Sequence, residues 1–341
     1  MIKHSITLYS FGKKFADETY SIEDCIAKAK ALGADGIELV ASQMMPGYPW
    51  PTEEWMDYFK GLCEKHQADP VCYSAYVDMG MRSDRDLNAN EIMECTLNDM
   101  EIAARLGFKL VRSQHAMSPA VLERMIPYAQ KYGLHLAIEM HHPHEPSTPV
   151  WQEYMDVMRR SGTDCIGIVP DMSSFQQYPT GTYRDFIIRR KHVPADVVDA
   201  AIAAHNRWEP KEAVLEAALA MVKGGGALAA AKGDGAPAKA KEGDVRSFID
   251  DMYYRYAHPT DFDGLKEVLK YSKYIHGKFF YIDDSGTEDA IPYDTILNMI
   301  KASGFDGYIC TEFEGNTFDE KLDEEEQIRR HIRMQKRILG Q

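Results

Sequence analysis

Short apolar runs alternate along the chain with longer stretches in which apolar residues recur every three or four positions. These are the rhythms of buried strands and of helices with one buried face. Residues 5–10 (Ser-Ile-Thr-Leu-Tyr-Ser) read as a first strand, and Ser21 then caps a helix whose Ile22, Cys25, Ile26, Ala29 and Leu32 share a face. Gly33 closes that helix, since glycine takes the left-handed conformation needed just past a helix end, and residues 36–41 form strand two. The same junction, helix then Gly then apolar strand, recurs at Gly107, Gly133, Gly162 and Gly304. A repeated α-to-β unit implies a parallel sheet. With residues 70–76 and the run around His276 the strands number about eight, which closes a (β/α)8 TIM barrel. An open doubly wound sheet usually carries GxGxxG after its first strand, and none is present.

The expected architecture is therefore α/β, a single TIM-barrel domain over residues 1–341 with a long insertion between strands six and seven. That connection runs to about 100 residues, several times an ordinary crossover, and residues 180–261 are read as a helical and low-complexity excursion. Residues 195–222 look helical, residues 223–244 form a Gly/Ala/Lys tract expected to be a flexible linker, and helices over 245–256 and 262–271 lead back to the barrel. The C-terminal stretch 322–339 is a charged helix with Ile328, Ile332, Met334 and Ile338 free to pack outside the barrel.

A net charge of -14 over 341 residues opposes binding to nucleic acid or to anionic lipid. The N-terminus lacks a signal-peptide core and no run matches a membrane span, so a soluble cytoplasmic protein is expected. Six cysteines without a CxxC pair read as reduced and structural.

Chemistry concentrates where apolar runs end. Residues 136–142 (Leu-Ala-Ile-Glu-Met-His-His) close on Glu139, His141 and His142; residues 165–170 lead into Asp171; Tyr274-Ile275 leads to His276, with Lys278 two residues on; residues 307–311 lead into Glu312. In a barrel the C-terminal ends of all strands meet on one face, so Glu139, Asp171, His276 and Glu312 can converge. Three carboxylates and one imidazole suit a hard divalent ion such as Mn²⁺ or Mg²⁺. His276 has a structural alternative as a core histidine, with Asp283 or Asp284 in its place as ligand. Glu314 competes with Glu312, because strand alternation puts both on one face. One of His141, His142 and His144 is expected to carry protons, and parity places His141 on the side of Glu139. Arg112 and His115 end strand four, either toward substrate or, for Arg112, paired with an acid. Trp50, in Gly-Tyr-Pro-Trp-Pro after strand two, is a candidate stacking residue.

The motifs Ala-Ile-Glu139-Met-His, Pro-Asp171-Met, His276-Gly-Lys-Phe-Phe-Tyr-Ile-Asp and Thr-Glu312-Phe-Glu-Gly resemble those of the xylose isomerase-like barrels of the sugar phosphate isomerase/epimerase family. Within it, the chain looks most similar to the α subunits of bacterial C-glycoside deglycosidases. The resemblance implies one divalent metal, Mn²⁺ first with Mg²⁺ or Co²⁺ as alternatives, held by Glu139, Asp171, His276 and Glu312. It implies a carbonyl-bearing sugar or glycoside substrate, for which Arg112, His115, Trp50, Lys278 and Glu314 are the candidate contacts by their places at strand ends and in the loop after strand two, and a small β subunit as partner. The implied reaction is carbon–carbon lyase cleavage of a 3-oxo-C-glycoside through an enolate, with His141 or His142 as base or donor. The alternative is a ketose epimerase, aldose-ketose isomerase or keto-inositol dehydratase, with Glu139 and Glu312 as the epimerase's or isomerase's proton-transfer pair.

Overall fold

The computed structural model describes residues 1–114, 116–223 and 241–341. Eight strands form one parallel sheet: β1 (Lys3–Thr7), β2 (Gly36–Val40), β3 (Asp69–Ser74), β4 (Leu110–Ser113), β5 (His135–Met140), β6 (Ile166–Pro170), β7 (Tyr274–Phe279) and β8 (Tyr308–Phe313). Their order is β6-β5-β4-β3-β2-β1-β8-β7. The seam between β6 and β7 closes through the Ile168 N–H, which donates to the Tyr271 carbonyl at 3.0 Å, and through a parallel bridge between Asp171 and His276. The (β/α)8 barrel expected from the periodicity is present, and its last seam is stitched where two of the candidate ligands sit.

Local chemistry sets the elements. Ser21 and Asp24 form a reciprocal capping box at the start of the helix Ile22–Ala31, satisfying two amides that have no partner within the helix. Gly107 ends the helix Ala89–Leu106 at φ +91°, a conformation side chains rarely adopt, which sends the chain straight into β4.

Alternation along the strands divides the core. Residues pointing outward pack with the surrounding helices into one large cluster, whereas Val71, Cys72, Leu110, Ala137, Val169, Tyr274 and Cys310 form a separate apolar cluster. Two residues further along β3 to β8 the side chains become Ser74, Arg112, Glu139, Asp171, His276 and Glu312, all buried. A two-residue step keeps the same face, so the polar layer sits directly above the apolar one.

The connection from β6 to β7 carries the helices Gly181–Lys191, Ala195–His205, Lys211–Lys223, Glu242–Arg255 and Phe262–Leu269. The single helical stretch expected over 195–222 is two helices. They are separated by a turn with Trp208 at φ 59° and Pro210 before the second helix. Of the tract expected over 223–244, residues 224–240 lie outside the described residues, while Lys223 and Glu242 to Asp244 are helical. The excursion packs onto the barrel: Tyr183 meets the Phe318 ring edge-on at 5.3 Å and donates its hydroxyl hydrogen to Asp251 at 3.0 Å. The C-terminal helix Glu324–Leu339 buries Ile328, Ile332 and Met334 against the barrel. Among the described residues no helix is long and apolar enough to cross a membrane.

Candidate metal centre

Glu139, Asp171, His276 and Glu312, from the ends of β5 to β8, each offer one donor atom, and these atoms all lie within 4.8 Å of one another. His276 Nδ1 lies 2.9 Å from Glu139 Oε1, 3.0 Å from Glu312 Oε2 and 3.9 Å from Asp171 Oδ2. Yet His276 Nδ1, Asp171 Oδ2 and Glu312 Oε2 are buried without a hydrogen-bond partner. Buried polar atoms are otherwise nearly always satisfied, so three unsatisfied donor atoms turned to one point fit a bound cation.

Charge agrees with this. Four buried carboxylates, those of Glu38, Glu139, Asp171 and Glu312, face two fixed cations, Arg112 and Lys278. With His276 neutral, two negative charges remain, and a divalent cation balances them. All four ligand positions are oxygen or imidazole nitrogen, a set suited to Mn²⁺, Mg²⁺ or Zn²⁺.

The titration behaviour follows from the same crowding. Burial pushes the Glu139 carboxyl up, but Arg112 and His276 outweigh it and hold Glu139 well below its usual range. Asp171 is lowered because Lys278 overrides its burial. Burial raises Glu312, against the pull of Lys278 and His276. Burial lowers His276, but Glu38 and Glu312 dominate and raise it well above an ordinary histidine. The metal-free cluster thus draws a proton toward the place where positive charge is missing.

The remaining sequence candidates separate clearly. Arg112 takes its acid-paired option: 2% exposed, it is ion-paired to Glu139 and stands 3.6 Å from Glu38. Lys278 is also buried, with its Nζ 3.2 Å from Asp171, 3.6 Å from Glu312 and 3.1 Å from Glu314. Glu312 joins the donor cluster, and Glu314 stands outside it against Lys278. Strand β5 stops at Met140, so parity does not reach the histidines. His141 nevertheless turns inward, its Nε2 2.9 Å from Lys278 Nζ and its Nδ1 2.8 Å from the His142 carbonyl. His142 packs behind it with ring centroids 4.1 Å apart and the ring planes tilted by 38°, and burial depresses its pKa to about 3. Trp50 is 77% exposed, unlike the buried residues of the cluster. His115 lies outside the described residues. Asp283 and Asp284 do not substitute for His276: Asp283 accepts from Thr287 N–H and Ser285 Oγ in a turn, and Asp284 pairs with Arg330.

Several site residues escape the sequence reading. Glu38, fully buried on β2, accepts from His276 Nε2 at 2.7 Å and from Ser74 Oγ at 2.7 Å. Its signal was a lone acid inside the apolar run Gly-Ile-Glu-Leu-Val. Tyr76 accepts from Arg112 Nη2 at 3.4 Å. Burial, with Glu314 and Glu312 nearby, pushes the Tyr9 hydroxyl up to about 12. A cleft of about 620 Å³ opens at the opposite mouth of the barrel, beside Lys109, His135, Asp164 and Tyr308. It contains none of the four donors.

Residues 26–214 match the family model of the xylose isomerase-like TIM barrel. The chain is 27% identical over 349 aligned positions to the 3'-dehydrocarminate deglycosidase alpha subunit of a Microbacterium species, covering 98% of this chain and 95% of that one. It is 26% identical to a C-glycoside deglycosidase alpha subunit of Arthrobacter globiformis, over 91% of this chain and 83% of the relative. Among solved structures, the IolI protein with a bound zinc atom superposes with a TM-score of 0.58 at 15% identity, covering 99% and 98% of the two chains. A D-psicose 3-epimerase in the presence of D-fructose superposes with 0.56 at 10% identity over the whole of both chains. These structural likenesses carry the fold, and the resemblance read from the four motifs holds. The chain is an enzyme belonging to the xylose isomerase-like TIM barrel family.

Proposed function

We propose that the chain is the metal-dependent catalytic subunit of a lyase that cleaves the C-glycosidic bond of 3-oxo-C-glycosides. The observation that carries this reading is the near full-length match to a deglycosidase alpha subunit, joined to a four-donor cluster on one barrel face. Glu139, Asp171, His276 and Glu312 would hold one divalent cation, Mn²⁺ being our first choice. When bound, it supplies Lewis acidity that polarises a sugar carbonyl and makes the neighbouring C–H acidic.

The protein's own groups do the rest. The His141 Nδ1–H is taken up by the His142 carbonyl, which leaves Nε2 as a lone pair facing Lys278. That tautomer is a base, and the adjacent ammonium is a proton source. In a 3-oxo-C-glycoside the proton leaves C2, the bond from C1 to the aglycone carbon breaks, and its electron pair departs with the aglycone, which then takes up a proton. His141 is placed to receive the first proton and the His141–Lys278 pair to deliver the second. His142, kept neutral by burial, supports it from behind by packing its tilted ring against the His141 ring. Glu314, paired with Lys278, faces substrate, and a small β subunit is the expected partner.

Aglycone release from a 3-oxo-C-glucoside, followed by absorbance with Mn²⁺-loaded protein with and without its small partner, tests the reading. Release lost in His141→Gln with Mn²⁺ still bound is the expected result. No release, with solvent deuterium entering a free ketohexose in D₂O, would overturn it in favour of a ketose epimerase or isomerase.

A further inference from the structure

Glu38 has no role in the reaction as derived above, yet it is among the most enclosed charges in the protein, with no exposed surface. It sits on β2, separated by β1 alone from β8, where the four donors' arc begins, and reaches the interior of the barrel to meet His276. One carboxylate oxygen accepts from His276 Nε2 at 2.7 Å; the other accepts from Ser74 Oγ at 2.7 Å and faces Arg112 Nη2 at 3.6 Å. Ser74 Oγ in turn accepts from Arg112 Nε at 2.8 Å, and Arg112 Nη1 binds Glu139. A closed loop results, running His276, Glu38, Ser74, Arg112, Glu139 and back to His276, where Nδ1 and Glu139 Oε1 stand 2.9 Å apart.

We propose that Glu38 is the positioning residue of the metal centre: it binds the Nε2–H of His276, leaves Nδ1 as the ligating nitrogen, and through Ser74 and Arg112 ties that setting to Glu139. The inference rests on the metal-dependent reading above. A carboxylate behind a ligating histidine fixes its tautomer and raises its basicity. Two of the four ligands, on β5 and β7, are then held from behind by one frame anchored on β2, β3 and β4. Glu38, His276 and Cys310 also lie close enough to suggest a separate cation site. That option fails on chemistry, because Glu38 and His276 Nε2 are already bonded to each other and burial keeps the Cys310 thiol protonated, within the apolar layer. Nor can Glu38 touch substrate, since it is wholly enclosed.

Glu38→Gln keeps the shape but lets the amide donate as readily as accept, and it removes the charge that Arg112 faces. Mn²⁺ affinity, measured by competition with a chromophoric chelator, is expected to fall about 10–100-fold, with partial recovery in Glu38→Asp. In ¹⁵N-histidine-labelled protein loaded with diamagnetic Zn²⁺, the His276 Nε2–H proton resonance, far downfield in the unaltered chain, is expected to move upfield and exchange faster with water. Unchanged Mn²⁺ affinity together with an unchanged Nε2–H resonance in Glu38→Gln would overturn the positioning role while leaving the metal centre standing. Failure of the unaltered chain to bind Mn²⁺ or Zn²⁺ would instead overturn the metal-dependent reading, and this inference with it. Should Glu38→Gln fold poorly, Glu38→Asp and the resonance of the unaltered chain carry the same decision.

Discussion

Replacing Glu312 by Gln should reverse the sign of its effect on stability according to whether metal is present. Glu312 is 7% exposed, its Oε2 lacks a hydrogen-bond partner, and burial raises its pKa above the usual 4.5 despite Lys278 at 3.6 Å and His276 at 3.0 Å. The metal-free fold therefore holds the Glu312 proton more tightly than the unfolded chain does. Its contribution is fully present below the unfolded value and is lost as pH rises through the folded one, so at neutral pH the ionised carboxylate is a liability. Glu312→Gln removes that liability with nearly the same shape, and in chelator it should be at least as stable as the unaltered protein. Metal reverses the ranking. A site filled at 100 times its dissociation constant stabilises the native state by about 2.7 kcal/mol. That corresponds to roughly 4 °C in Tm for a chain of 341 residues, and the variant, lacking one of four ligands, should show only a small part of it. Scanning calorimetry of both proteins in chelator and in excess Mn²⁺ makes the comparison. Equal Mn²⁺-induced shifts in the two proteins, or a variant that unfolds well below the parent in chelator, would refute the placement of Glu312 at a cation.

Arg112→Met should destabilise the protein by about 3–5 kcal/mol in urea, because it strands Glu139 and the Glu38 carboxylate without their buried counter-charge. A loss below about 1 kcal/mol would show that Arg112 is dispensable to them. Asp99, 1% exposed and receiving hydroxyl bonds from Tyr73 at 3.0 Å and Tyr48 at 3.3 Å, is pushed up to about 7 by burial. Its contribution is complete below the ordinary aspartate range and lost as pH rises through about 7. Urea unfolding at pH 5 and pH 8 should therefore show a decline on the order of 2–3 kcal/mol that Asp99→Asn removes. An identical decline in the variant would assign the slope elsewhere.

The four donors were legible because a barrel turns sequence order into spatial order. An apolar strand ending in an acid or imidazole delivers that group to a known face, and Glu139, Asp171, His276 and Glu312 each end such a run. Three things were not legible, each for a physical reason. The orientation of His141 depends on where β5 stops and on Lys278 from a strand 137 residues away in sequence, neither of which alternation encodes. Arg112 could pair or bind substrate on its pattern alone, and the choice is made by Glu38 and Glu139 arriving from β2 and β5. Glu38 itself broke an apolar run, and a charge there would ordinarily be costly. Such a charge persists only with partners on every side, so an acid inside a strand run should be read as one end of a buried network whose other members lie on strands not yet placed. Here that rule leads from Glu38 to His276 and Arg112. The layer of inward-facing polar residues, more than any single motif, therefore marks the working end of this barrel.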